Sequence, residues 1–139
     1  MQHPLRLLPL ILIIEDSLDQ LELYEFALGE HYRVRKATHG ELGVEVAIAE
    51  QPDLVLVDIC MPGIDGWEVC RRLKSEPRTA PIPIILLTAL DGKDTAERAM
   101  QAGAVALLMK PCNVDSLREE IEARLTPEAR RSGVIRIPR

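Results

Sequence analysis

Short, uninterrupted apolar runs alternate with longer stretches of helical period along this chain. Runs at 10–14, 54–57, 84–87 and 105–109 hold almost no polar side chain. Continuous runs, as opposed to alternating ones, mark parallel strands buried on both faces. A fifth stretch, 32–37, is more polar and fits an edge strand. Between the runs, Leu18, Leu21 and Leu28, with Tyr24, suit one helical face, and 42–49 forms a second apolar segment. Trp67, Cys70 and Leu73 (with Val69) recur at helical spacing, and Ala96, Ala99 and Met100 form a fourth stripe. Val114, Leu117, Ile121 and Leu125 complete a fifth, amphipathic helix. Punctuation falls between the elements, at Gln51-Pro52-Asp53, Pro62-Gly63, Pro81-Ile82-Pro83, Ala102-Gly103-Ala104 and Pro111. Five β-α repeats imply a three-layer α/β sandwich with right-handed crossovers. The reading divides the chain into a leader at 1–9, one domain at 10–125 and a tail or linker stub at 126–139. The tail carries Arg130, Arg131, Arg136 and Arg139 and reads as solvated.

Composition narrows the function classes. A chain of 139 residues fits one domain, and 47% hydrophobic with 28% charged residues supports a packed core. Aromatics make up only 3%, so Leu, Ile, Val and Ala build the core and no stacking platform for single-stranded nucleic acid is expected. A net charge of −5 gives no general attraction to nucleic acid or anionic lipid. Cys60, Cys70 and Cys112 lack metal-site spacing and read as reduced thiols of a cytoplasmic protein. The greasy stretch 5–14 is shorter than the roughly 20 residues that cross a bilayer. Glu15-Asp16 follows it where a signal peptide carries small residues, so a buried strand explains it and no membrane or targeting segment is expected.

Ligands of open parallel α/β sheets bind outside the carboxyl ends of the strands. The first run ends in Glu15-Asp16, the third strand in Asp58, the fourth in Thr88 and the fifth in Lys110. Each alone has an ordinary explanation: a helix cap for Asp16, a turn for Asp58, a strand end or cap for Thr88, a solvated loop for Lys110. Together they make a chemical set. Clustered carboxylates repel one another unless a cation sits among them, and hard oxygen donors suit Mg²⁺. A carboxylate can attack phosphorus, and phosphoryl transfer needs its equatorial oxygens neutralised.

In this setting the chain resembles the receiver domain of two-component response regulators, over about 10–125. The resemblance rests on Ile13-Ile14-Glu15-Asp16, on Leu54-Val55-Leu56-Val57-Asp58, and on Met61-Pro62-Gly63-Ile64-Asp65-Gly66. It continues in Pro83-Ile84-Ile85-Leu86-Leu87-Thr88-Ala89 and in Gly103-Ala104 leading to Lys110-Pro111. It implies a flavodoxin-like fold of strand order 2-1-3-4-5. It implies Asp58 as phosphoacceptor, with Mg²⁺ held by Asp16, Asp58, the Cys60 backbone carbonyl and, through water, Glu15. Thr88 and Lys110 would contact the phosphoryl group, with a cis peptide before Pro111. The donor would be a sensor histidine kinase or a histidine phosphotransfer protein, and the 96–125 face would meet a downstream effector. Such a chain is a phosphoacceptor signalling domain with intrinsic autophosphorylation and autodephosphorylation, not an enzyme. A stand-alone regulator, monomeric or weakly dimeric, is the expectation. The alternative is a receiver module from a hybrid histidine kinase or multidomain regulator.

Departures from the family pattern bear on output. Leu107 stands where many receivers carry a switching aromatic, and Cys112 where Phe is common. Gly103-Ala104-Val105 lacks the acidic residue of one paired-dimer subgroup. Cys60 and Leu90 occupy the two positions that orient water toward the phosphoryl group, and neither orients it well, so slow self-dephosphorylation is expected. A haloacid-dehalogenase-type phosphatase needs a second Asp where Cys60 stands. A flavodoxin phosphate loop would be repelled by Glu15-Asp16.

Overall fold

A computed structural model of the chain describes residues 8–89, 93–110 and 113–125. Among them β1 (Leu10–Ile14) leads into α1 (Leu18–Leu28), and β2 (Arg33–Ala37) into α2 (Gly40–Glu50). β3 (Leu54–Asp58) leads into α3 (Gly66–Ser75), β4 (Ile84–Thr88) into α4 (Lys93–Gln101), and β5 (Ala106–Met109) into α5 (Val114–Arg124). All pairings are parallel, in the order β2-β1-β3-β4-β5.

Successive side chains of a strand point to opposite faces, so each central strand feeds two cores. Ile11, Ile13, Leu54, Leu56, Ile85 and Leu87 pack against Leu21, Tyr24 and Leu28 of α1 and Leu117 and Ile121 of α5. Leu12, Ile14, Val55, Val57, Ile84 and Leu86 pack against Ala47 of α2, Val69, Cys70 and Leu73 of α3, and Ala99 of α4. That double burial is why these runs carry no polar alternation, and each such side chain contributes about 2 kcal/mol. Helix starts follow local chemistry. Ser17, His39, Asp65 and Asn113 each accept a backbone N–H of the turn they open, from Gln20, Leu42, Glu68 and Ser116.

Several expectations need correction. The run at 105–109 is not buried on both faces: β5 is an edge strand, with Val105 39% and Met109 49% exposed. Leu18 lies outside the buried stripe of α1, and Ala96 and Met100 outside that of α4, where Ala99 is buried. α1 and α4 each cover only part of one sheet face, so their apolar stripes are wider than the surface they cover. The α1 cap is Ser17, not Asp16. β3 and β4 each reach one residue further than their apolar runs, taking in Asp58 and Thr88. No described helix is long and apolar enough to cross a membrane. The residues 126–139, Leu90, Pro111 and Cys112 lie outside the described residues.

Candidate functional site

Parallel register brings the carboxyl ends of the strands level. Ile14 pairs with Val57, Asp58 with Leu87, and Thr88 with Met109. The ladder runs on beyond the strand ends, from Glu15 N to Ala37 O (3.0 Å), Ile59 N to Leu87 O (2.9 Å) and Lys110 N to Thr88 O (2.7 Å). The polar residues that follow the apolar runs are thereby delivered to one edge. The strand order reverses beside β1 and β3, where crevices open in such sheets.

Glu15, Asp16 and Asp58 each offer a carboxylate oxygen, and these oxygens lie within 4.8 Å of one another. Asp58 and Glu15 are buried, while Asp16 is exposed. Lys110, just past β5, places Nζ 2.8 Å from Glu15 Oε1 and 3.4 Å from Asp58 Oδ2. It is therefore not the solvated loop lysine that its position alone allowed. Thr88 is wholly buried at the end of β4. The Cys60 amide donates to Asp58 Oδ1 at 3.3 Å.

One ammonium against three carboxylates leaves two negative charges in a partly buried space. A divalent cation bound by hard oxygens would cancel them, so the donor set fits Mg²⁺. Burial on its own would lower the Lys110 pKa. The hydrogen bond to Glu15 and the charges of Asp58 and Glu15, with Tyr24, outweigh it, so the ammonium holds its proton above the usual lysine range.

Two features escaped sequence reasoning. Gly66 opens α3 against the backbone of Asp58 and Ile59. Its amide donates to Ile59 O at 2.9 Å, and a Cβ there would fall 2.6 Å from Ile59 Cα and 2.7 Å from the Asp58 carbonyl oxygen. The Arg98 guanidinium of α4 lies 4.4 Å from the centre of the Trp67 ring on α3. Both line a groove of about 500 Å³ together with Ile59, Cys60 and Met61. Leu107, in the place of an aromatic, is partly buried against the α2–α4 core.

The thiols differ. Cys60 is exposed, whereas Cys70 is buried, sits 3.2 Å from Ala102 O, and is pushed by burial to a pKa of about 11. Alkylation of the native protein is expected to label Cys60 and to reach Cys70 only on unfolding, read by peptide mapping. Equal labelling of both would contradict the packing of α3.

A family model described as the response regulator receiver domain matches residues 11–122. The chain is 40% identical over 102 residues to the response regulator PleD of Caulobacter vibrioides, covering 73% of this chain and 22% of PleD. It thus spans about a fifth of that relative's length. It is 36% identical over 114 residues to the protein PilH of Pseudomonas aeruginosa, covering 81% of this chain and 94% of PilH. Among solved structures, a putative response regulator from Chloroflexus aurantiacus superposes with a TM-score of 0.79 at 32% identity, covering 84% of this chain and 96% of that one. The Vibrio cholerae chemotaxis protein CheY4 superposes with a TM-score of 0.81 at 23% identity, over 85% of this chain and 99% of its own, a likeness of fold.

Proposed function

The chain belongs to the response regulator receiver domain family, and from that premise we propose that it accepts a phosphoryl group on Asp58 in a Mg²⁺-dependent reaction. The observation that carries this reading is the convergence of Glu15, Asp16, Asp58 and Lys110 at one sheet edge. A carboxylate oxygen of Asp58 attacks phosphorus, the bond from phosphorus to the imidazole nitrogen of a partner's phosphohistidine breaks, and the imidazole leaves. Asp16, Asp58 and the Cys60 carbonyl, with Glu15 through water, would hold Mg²⁺, which supplies neutralising charge at the phosphoryl oxygens. Lys110 and the Thr88 hydroxyl serve the remaining oxygens by ion pairing and hydrogen bonding. The chain is then a phosphoacceptor that changes its contacts, not a turnover enzyme. Acetyl phosphate with Mg²⁺ is expected to add one phosphoryl group by intact mass, and Asp58→Asn to add none. A wild-type chain that gains no mass would end the proposal.

Response regulator receivers work between kinases and effectors. Here a histidine kinase or phosphotransfer protein is the proposed donor, in the cytoplasm, where thiols stay reduced. The effector face at 96–125 is supported by the exposed apolar side chains Met100, Val105 and Met109. The match to 94% of PilH favours a stand-alone regulator, and the match to 22% of PleD favours a module of a larger one. Cys60 is exposed beside Asp58 and places no carboxamide or carboxylate near an attacking water. Slow self-dephosphorylation follows. Replacing Cys60 by Asn and Leu90 by Glu is expected to speed phosphate loss about tenfold, through a positioned water. An unchanged rate would remove these positions from the account.

A further inference from the structure

α4 is held unevenly. Its carboxyl end is fixed to α3 at several points. The chain leaves the helix through Gly103, in a left-handed conformation (φ 95°), with Gly103 N donating to Met100 O and Ala104 N to Ala99 O, both at 3.0 Å. The buried Cys70 thiol of α3 donates to Ala102 O at 3.2 Å. The Lys74 side chain lies against Gly103, where a Cβ would meet Lys74 Cγ at 2.9 Å. Lys74 is itself tied down, its ammonium donating to Ala80 O at 2.8 Å and to Ile82 O at 2.7 Å. One turn earlier the attachment is thin. Between Asp94 and Gln101 only Ala99 is buried. What ties this stretch to α3 is Arg98, exposed, with its guanidinium 4.4 Å from the centre of the Trp67 ring. The pair stands at the groove that Cys60 and Met61 also line.

We propose that Arg98 on Trp67 is a latch that closes the amino-terminal part of α4 onto α3, and that α4 opens about a hinge at 102–104 when the latch is released. The hinge is the well-bonded end, so release leaves it in place. The latch is a single cation–π contact between half-buried and exposed groups, which biases an open–closed equilibrium only about threefold. A contact of that strength holds the closed form as the major one and still lets it open. The chain enters α4 at Lys93, five positions past Thr88 at the end of β4. The latched end is therefore the one that adjoins the site in sequence, and its opening widens the groove beside Cys60. The inference goes beyond the phosphoacceptor reading and holds whether or not Asp58 carries a phosphoryl group.

The test is hydrogen exchange by ¹⁵N NMR on the whole chain, with no phosphoryl donor present. Arg98→Met removes the cation and keeps a good helix former at an exposed position. Protection factors at 97–101 are expected to fall about threefold, with those at 102–104 unchanged. An unchanged value at 97–101, or an equal fall at 102–104, would overturn the latch and the hinge respectively. Trp67→Leu removes the ring, and in that background Arg98→Met is expected to change nothing further. A full effect of Arg98→Met without the ring would sink the pairing. Trp67 is the only tryptophan of the chain, so acrylamide quenching gives a second readout. Arg98→Met is expected to raise the quenching constant about twofold, by uncovering the ring for more of the time. If Trp67→Leu does not fold, that constant decides, and no rise would equally overturn the proposal. Neither readout involves phosphorus, so failure here is distinguishable from failure of Asp58 to gain mass.

Discussion

Gly66→Ala is expected to destabilise the chain by about 3 kcal/mol, by overpacking against atoms that cannot turn aside. The added Cβ would meet Ile59 Cα at 2.6 Å, the Asp58 carbonyl oxygen at 2.7 Å and the Asp58 carbonyl carbon at 3.1 Å. All three are backbone atoms, so relief requires the segment after β3 to move as a unit. That segment begins directly after Asp58 and carries Cys60, and the Gly66 amide is bonded into it through Ile59 O at 2.9 Å. Phosphoryl uptake should fall as well, since misplacing a reacting group by about 1 Å can cost on the order of 100-fold. Urea melts and acetyl phosphate uptake, measured where the variant remains folded, check both effects. A variant matching the parent in both would show that the 59–65 loop yields freely and does not hold the carboxylate in place.

Asp16→Asn is expected to move stability and metal binding in opposite directions. Asp16 is exposed, forms no ion pair among the described residues, and shares its surroundings with Glu15 and Asp58. Removing its charge relieves repulsion in the metal-free chain, with a gain of roughly 0.5 kcal/mol. Removing a carboxylate from the donor set should weaken Mg²⁺ binding on the order of 100-fold. Urea denaturation in EDTA and calorimetric Mg²⁺ titration measure the two. The α1 cap does not confuse the result, because Ser17 supplies it. A loss of metal-free stability would mean that Asp16 holds the fold together and not a cation.

Much of this was legible along the chain. The unbroken apolar runs at 10–14, 54–57 and 84–87 marked the central strands, because a strand covered on both faces leaves no position for a polar side chain. The residues just past those runs were legible too, since a parallel sheet sends all its carboxyl ends the same way. Ser17, Asp65 and Asn113 hold their caps within a turn of where they stand, so local chemistry governs them.

Other features took shape only on folding. That Leu18 and Met100 stay exposed depends on how much sheet α1 and α4 find to cover. The half-exposed character of β5 depends on its place at the sheet edge. Glu15 and Lys110 stand 95 positions apart, and nothing local says that the lysine lies nearer Glu15 than Asp58. Gly66 reads as an ordinary helix start until its backbone is seen against Asp58. Side-chain period and capping are properties of neighbours in the chain, so the order of residues carries them. Edge position, partner choice and close backbone approach are properties of neighbours in space, and they arise only when distant segments are brought into register.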